Sequence, residues 1–176
     1  NDIVMSKSFD NGMICASEQA AIIDKEIFDE AMTEFQKYGV YVANKNEKKL
    51  LEKYMFGVNS NEDKPNAKLN PTIVGKSAVA IAKEAGFDVP ANTVIIAVEC
   101  KKVGVDEPLT REKLSPVLAV LKAENTMDGI AKSAQMVEFN GLGHSAAIHT
   151  QNHDIAVQFG LECKAIRVIE NAPSTF

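Results

Sequence analysis

The 176-residue sequence lacks any long apolar run, since none of its hydrophobic stretches approaches the roughly 20 residues that cross a membrane. It also lacks the basic-then-apolar start of a signal peptide, because it opens with Asn-Asp-Ile-Val at residues 1–4. No internal repeat and no low-complexity stretch is present. These absences argue against a membrane-spanning, secreted or repetitive protein, and we expect no membrane partner.

Basic patches and patterned cysteines are also scarce. The formal net charge is −5, and no basic stripe with interleaved aromatic residues appears, so nucleic acid is not expected as a partner. The three cysteines, Cys15, Cys100 and Cys163, are an odd number at wide spacing. This pattern argues against a disulfide framework or a zinc site and is typical of reduced thiols in a cytoplasmic protein. No metal is therefore expected.

Helical and strand-like periodicities alternate along nearly the whole chain. The continuous apolar runs at residues 94–98 and 117–121 indicate strands that are covered on both faces. Strands separated by helices imply βαβ units, so we predict an α/β fold with a mostly parallel open sheet and helices on both faces. The remaining predicted strands are 20–23, 40–43, 145–149 and 165–169, and the predicted helices are 24–38 (capped by Asp24), 47–55, 76–85, 126–139 and 153–163, with a loop at 57–71.

Two glycine-containing segments look like phosphate-binding motifs and are rejected. Residues 75–77, Gly-Lys-Ser, lack the earlier glycine of a P-loop, because Asn70 occupies that position. Residues 141–143, Gly-Leu-Gly, are too short for a dinucleotide fingerprint and follow a predicted helix rather than a strand. Both segments are better explained as helix boundaries.

Cys15 is the residue whose side chain is most clearly suited to a chemical role. Its thiol lies between a polar, glycine-containing approach and two small residues, directly before the predicted strand at 20–23. Loops at strand edges are where a rigid scaffold usually presents reacting groups. The alternative interpretation is a small buried hydrophobic residue, which is the commonest role of a free cysteine.

Residues 6–19, Ser-Lys-Ser-Phe-Asp-Asn-Gly-Met-Ile-Cys-Ala-Ser-Glu-Gln, resemble the active-site segment of the aldehyde dehydrogenase superfamily. Within that superfamily they look like the CoA-acylating branch, and most like the acetaldehyde dehydrogenase part of bifunctional aldehyde–alcohol dehydrogenases. Met13 stands where the non-acylating enzymes usually carry Gln or Glu, which favours the acylating branch. The resemblance implies that Cys15 is the catalytic nucleophile and that the fold is the three-layer catalytic-domain type.

Two further segments resemble the same family in the same order. Residues 112–117, Glu-Lys-Leu-Ser-Pro-Val, are similar to the superfamily's Glu-x-Phe-Gly-Pro-Val, whose glutamate contacts the nicotinamide ribose, so Glu112 is expected to bind the cofactor. Residues 141–149 are similar to a Gly-x-x-His-[Ser/Thr] segment of the acylating branch, which makes His144 a candidate catalytic residue. A hydrogen-bonded structural histidine is the alternative for His144.

The resemblance implies an enzyme that interconverts a short aldehyde, NAD⁺ and CoA with acyl-CoA and NADH through a cysteine thioester. It implies NAD and coenzyme A as cofactor and co-substrate, and a homo-oligomer or filament as the assembly. A hydrolytic or semialdehyde dehydrogenase of the same superfamily remains an alternative, and so does a catalytically inert oligomerisation domain. We expect residues 1–176 to form the thiol-bearing catalytic domain, with the cofactor-binding domain largely outside this chain.

Overall fold

Six parallel strands organise the chain, all of whose residues, Asn1 to Phe176, are described by the computed structural model. Four strands form one sheet in the order β1-β4-β3-β2, and two form a second sheet, β5-β6. All strand pairings are parallel. The strands are β1 Ala20–Asp24, β2 Val40–Ala43, β3 Ile95–Cys100, β4 Val117–Ala123, β5 Ser145–Ile148 and β6 Arg167–Glu170.

Six α-helices connect and cover these strands, and local sequence signals explain several of their ends. In α3, Asn44 and Glu47 form a reciprocal capping box, and Gly57 ends the helix in the left-handed conformation. In α4, the Ser77 side chain accepts from the Ala80 N–H, and Gly86 is again left-handed at the C-terminus. The helices are α1 Asp2–Ser8, α2 Phe28–Lys37, α3 Lys45–Phe56, α4 Ala78–Ala85, α5 Thr126–Asn140 and α6 His153–Glu162.

The hydrophobic core lies on both faces of the four-stranded sheet. On one face α1 and α2 contribute Val4, Phe28 and Phe35, while on the other α3 and α4 contribute a larger apolar cluster around Leu51 and Ile81. The central strands β3 and β4 are almost wholly buried, as expected for a parallel sheet covered on both faces. The predicted fold class is thus confirmed, although the sheet is divided into four strands and two.

Some local predictions differ from the structure. Helix α1 and the 3-10 helix Phe9–Gly12 were not predicted, because seven residues are less than two helical turns and show little periodicity. Asp24 does not cap α2. It ends β1 and accepts a hydrogen bond from the Glu26 N–H, so the helix begins later, at Phe28. The predicted loop at 57–71 contains the 3-10 helix Asn61–Asn66 and the first residue of another, Pro71–Ile73. No helix is long and apolar enough to cross a membrane.

Candidate functional site

A tight left-handed turn precedes Cys15. Asp10, Asn11 and Gly12 have φ values of +48°, +51° and +68° in succession. Asn and Asp are the non-glycine residues that adopt this conformation most readily, so the local sequence suits the turn. The Asn11 side-chain amide donates to the Gly75 carbonyl at 3.0 Å, which fixes the turn to a distant loop. The chain emerges from it with the Cys15 side chain exposed.

Gly12 allows the Cys15 segment to lie directly against the segment that carries Glu112. A Cβ atom at position 12 would lie 2.5 Å from the Ser115 carbonyl oxygen and 3.0 Å from the Lys7 carbonyl oxygen. Both atoms belong to the backbone, so neither can move aside as a flexible side chain would. The glycine therefore brings two segments about a hundred positions apart in sequence into close contact.

The loop before β4 combines an exposed carboxylate with a buried amine. Glu112 is exposed, and its carboxylate makes no hydrogen bond or ion pair within the chain. The adjacent Lys113 is fully buried, and its Nζ donates to the carbonyls of Gln19, Leu109 and Arg111 at 2.7 to 3.0 Å. Burial lowers the pKa of Lys113 to about 7. Lys113 thus fixes the loop, while Glu112 is free to bind a ligand.

His144 lies immediately before β5 with its side chain exposed. Its Nδ1 accepts a hydrogen bond from the Ser145 backbone N–H at 2.8 Å. An imidazole whose Nδ1 accepts carries its proton on Nε2 when it is neutral, so this contact selects the tautomer in which Nε2 is the donor. The His144 carbonyl accepts from the Ile166 N–H at 2.9 Å, which holds the residue against the start of β6.

Cys15, Glu112 and His144 all line one cleft of about 840 Å³. The cleft runs between β1 on one side and α5 and β5 on the other. The three residues that the sequence singled out are therefore brought together. The other two cysteines are buried elsewhere, and burial raises the pKa of Cys100 to about 12 and that of Cys163 to about 11. Cys15 is thus the one exposed thiol.

Ser174 is a further part of this site that the sequence analysis did not single out. It is buried, its Oγ donates to the Ala16 carbonyl at 2.5 Å, and its N–H donates to the Glu18 carboxylate at 3.2 Å. It also lines the cleft. A serine at this position does not by itself indicate a site residue, because its contact with the Cys15 segment joins residues at opposite ends of the chain.

The chain is similar throughout its length to known proteins, although no protein-family model matches it. The aldehyde-alcohol dehydrogenase of Streptococcus pneumoniae is 64% identical over 177 residues, which is 100% of this chain and 20% of that protein. Aldehyde-alcohol dehydrogenase 2 of Entamoeba histolytica is 58% identical over 99% of this chain and 20% of its own length. The chain thus spans about one fifth of the length of these relatives.

A solved structure supports the same relationship in three dimensions. The acetylating aldehyde dehydrogenase of Geobacillus thermoglucosidasius superposes with a TM-score of 0.90 at 33% identity, covering 99% of this chain and 37% of that one. The sequence relatives and this structure agree with the resemblance that the sequence motifs indicated, while the roles of Cys15, Glu112 and His144 stay predictions. The chain is therefore similar over nearly its whole length to part of the aldehyde-alcohol dehydrogenases and to part of an acetylating aldehyde dehydrogenase.

Proposed function

We propose that this chain supplies the thiol half of a CoA-acylating aldehyde dehydrogenase, which interconverts a short aldehyde, NAD⁺ and CoA with acyl-CoA and NADH. One observation carries the proposal. Cys15, Glu112 and His144 come from three separate segments and open onto the same cleft. The proposed short aldehyde is acetaldehyde, because the similar solved structure from Geobacillus thermoglucosidasius is an acetylating aldehyde dehydrogenase.

Cys15 is the proposed nucleophile. Its thiolate adds to the aldehyde carbonyl carbon, and the oxygen takes up the developing negative charge. The Cys15 backbone N–H makes no hydrogen bond within the chain and is available as an oxyanion donor. After oxidation the acyl group is held on Sγ as a thioester. Attack by the thiol of CoA then forms acyl-CoA and returns the electron pair of the broken C–S bond to Cys15.

Glu112 is proposed to bind the nicotinamide cofactor, which supplies the hydride acceptor when it is bound. Its exposed carboxylate has no partner within the chain and can accept hydrogen bonds from ribose hydroxyls. This fit covers a single contact of a large ligand. We therefore propose that the rest of the nicotinamide cofactor is held by a cofactor domain of the same polypeptide, and that residues 1–176 act with that domain in a homo-oligomer or filament.

His144 is proposed to donate a hydrogen bond during acyl transfer between Cys15 and CoA. The hydrogen bond from the Ser145 N–H leaves Nε2 as the polar atom free to face the cleft. In the neutral tautomer that this contact selects, the Nε2–H can donate a hydrogen bond to the oxygen of the tetrahedral adduct during acyl transfer, while the proton of the CoA thiol passes to the departing Cys15 thiolate. Cys15 would then be the nucleophile, and His144 would stabilise the negative charge that develops on the oxygen.

The reverse acyl transfer tests these roles without any redox step. When the chain is incubated with acetyl-CoA, the Cys15 thiolate attacks the acetyl carbonyl and the CoA thiolate leaves, taking up a proton. Intact-protein mass spectrometry and peptide mapping are expected to find one acetyl group, on Cys15. Cys15→Ala should abolish this product, and Cys100→Ala, which changes a buried thiol outside the cleft, should retain it.

Three results of this experiment would contradict the proposal. Absence of acetyl transfer to the wild-type chain would favour an inert domain, and equal acetylation of all three cysteines would indicate non-specific chemistry. Rapid release of free acetate from Cys15 would favour a hydrolytic enzyme. In the isolated chain we expect acyl exchange but little complete turnover with NAD⁺ and CoA.

A further inference from the structure

The guanidinium of Arg167, on β6, forms hydrogen bonds to three different residues. It forms no ion pair with an Asp or Glu side chain. It donates instead to one hydroxyl and two backbone oxygens: Nε–H to the Ser145 Oγ at 3.1 Å, Nη2–H to the Ser174 carbonyl at 2.6 Å, and Nη1–H to the Phe176 O. A guanidinium that donates to backbone oxygens and to a hydroxyl of different segments holds those segments together.

Two of these acceptor residues, Ser145 and Ser174, form a hydrogen bond to a proposed catalytic residue or to its neighbour. On one side, Ser145 donates its own N–H to the His144 Nδ1 at 2.8 Å. On the other side, Ser174 donates its Oγ–H to the carbonyl of Ala16, the residue next to Cys15, at 2.5 Å. The hydrogen bonds of Ser145, Arg167 and Ser174 therefore connect the His144 ring to the Cys15 segment.

The Ser174 end of this connection is firmly anchored. Ser174 is 3% exposed, its N–H donates to Glu18 at 3.2 Å, and its Oγ also lies 3.2 Å from the Ser6 Oγ. The Arg167 end is different, because β6 belongs to the small two-stranded sheet rather than to the four-stranded sheet whose strand β1 follows Cys15. Without Arg167, the segment that carries His144 loses its hydrogen bonds to the residues around Ser174.

We propose that Arg167 is a positioning residue for acyl transfer, which fixes His144 relative to Cys15 across the cleft between the two sheets. The inference rests on the proposed function, since it assigns Arg167 to the same site. Positioning errors of about 1 Å can lower a rate by about a hundredfold. Lysine cannot replace this residue, because a single ammonium cannot reproduce the planar fork that reaches Ser145 and Ser174 together.

The test compares Arg167→Lys and Arg167→Gln with the control Lys164→Gln. Lys164 is an exposed cation near the start of β6 whose side chain pairs only with Glu138, outside the site. Both Arg167 variants are expected to lower the saturating rate of acetyl transfer from acetyl-CoA to Cys15 by about ten- to a hundredfold, with a smaller change in the half-saturating concentration. Lys164→Gln should match the wild type.

A second readout does not depend on acyl transfer. Nitrogen-15 NMR of the His144 ring is expected to show the Nε2–H tautomer in the wild type and a mixture in Arg167→Gln, while the Ser174 amide exchanges faster with solvent in that variant. Urea unfolding checks that each variant is folded.

The outcomes separate the two proposals. If the wild-type chain transfers the acetyl group and Arg167→Gln transfers it equally fast, the positioning role is refuted and the proposed function stands. If the wild type transfers nothing but the His144 and Ser174 signals change in Arg167→Gln, the proposed function fails while the connection through Arg167 is real. Unchanged NMR signals in Arg167→Gln would overturn the connection itself.

Discussion

Substituting Gly12 by alanine should disturb the site more than the loss of flexibility alone predicts. Gly12 has φ +68°, and an alanine in this conformation costs about 1–2 kcal/mol. The new Cβ would also lie 2.5 Å from the Ser115 carbonyl oxygen and 2.7 Å from the carbonyl carbon. Overpacking against atoms that cannot move aside costs about 1–3 kcal/mol. The expected total destabilisation of Gly12→Ala is about 2–5 kcal/mol.

The chain offers a closely matched control in Gly57, the residue that ends α3. Its φ is +69°, and a Cβ atom there would meet nothing within 4 Å. Gly57→Ala should therefore cost only the conformational part, about 1–2 kcal/mol. Urea unfolding followed by circular dichroism gives both free energies of unfolding. The difference between the two variants measures the contact between Gly12 and Ser115.

Activity gives an independent readout of the same contact. Because Gly12 holds the Cys15 segment against the Glu112 segment, Gly12→Ala is expected to slow acetyl transfer to Cys15 by about ten- to a hundredfold, while Gly57→Ala leaves it unchanged. Equal losses of stability in the two variants, or an unchanged transfer rate in Gly12→Ala, would refute the idea that close approach at Gly12 assembles the site.

Three further predictions concern the thiols and the buried amines. Iodoacetamide at pH 8 should modify Cys15 first, because Cys100 and Cys163 are buried with pKa values of about 12 and 11; comparable rates by peptide mapping would contradict this. Lys7 is fully buried, its Nζ has no hydrogen-bond partner, and burial lowers its pKa. Lys7→Met should therefore raise the free energy of unfolding at pH 7 by about 1–3 kcal/mol. The gain should be smaller above pH 10.5, the pKa of the unfolded chain's lysine, because the amine is then uncharged in both states. For Lys113, the unfolded chain binds more protons than the folded chain between pH 7 and 10.5, so stability should rise with pH across this window, and Lys113→Met should reduce that slope in urea titrations.

Sequence patterns predicted most of the fold because they act locally. The continuous apolar runs at 94–98 and 117–121 marked β3 and β4 correctly, since strands buried on both faces need no alternation. The helix near 47–55 was also predicted, and the structure extends it to Lys45–Phe56. The start of α2 was wrong because Asp24 accepts from a neighbouring turn instead of capping the helix, a choice between two local hydrogen bonds that sequence alone does not resolve.

The candidate site was also predicted only where the signal is local. The motifs at residues 15, 112 and 144 indicated the family, which the relatives confirm, and supplied the candidate residues, whose individual roles stay predictions. The connections through Arg167 and Ser174 were not predictable, because each joins positions far apart in the sequence through one side chain.

By itself, then, the sequence determined an α/β chain that resembles the aldehyde dehydrogenase family and carries one promising thiol, because helix and strand periods and short motifs are properties of neighbouring residues. Only the tertiary structure decided that Cys15 is the exposed cysteine and that it shares a cleft with Glu112 and His144. The physical reason is that exposure and proximity depend on how β1, β4 and β5 are arranged and on what fits between their loops. The close approach of the Ser115 carbonyl to Gly12 forms only once the chain has folded. The same holds for the three hydrogen bonds of Arg167.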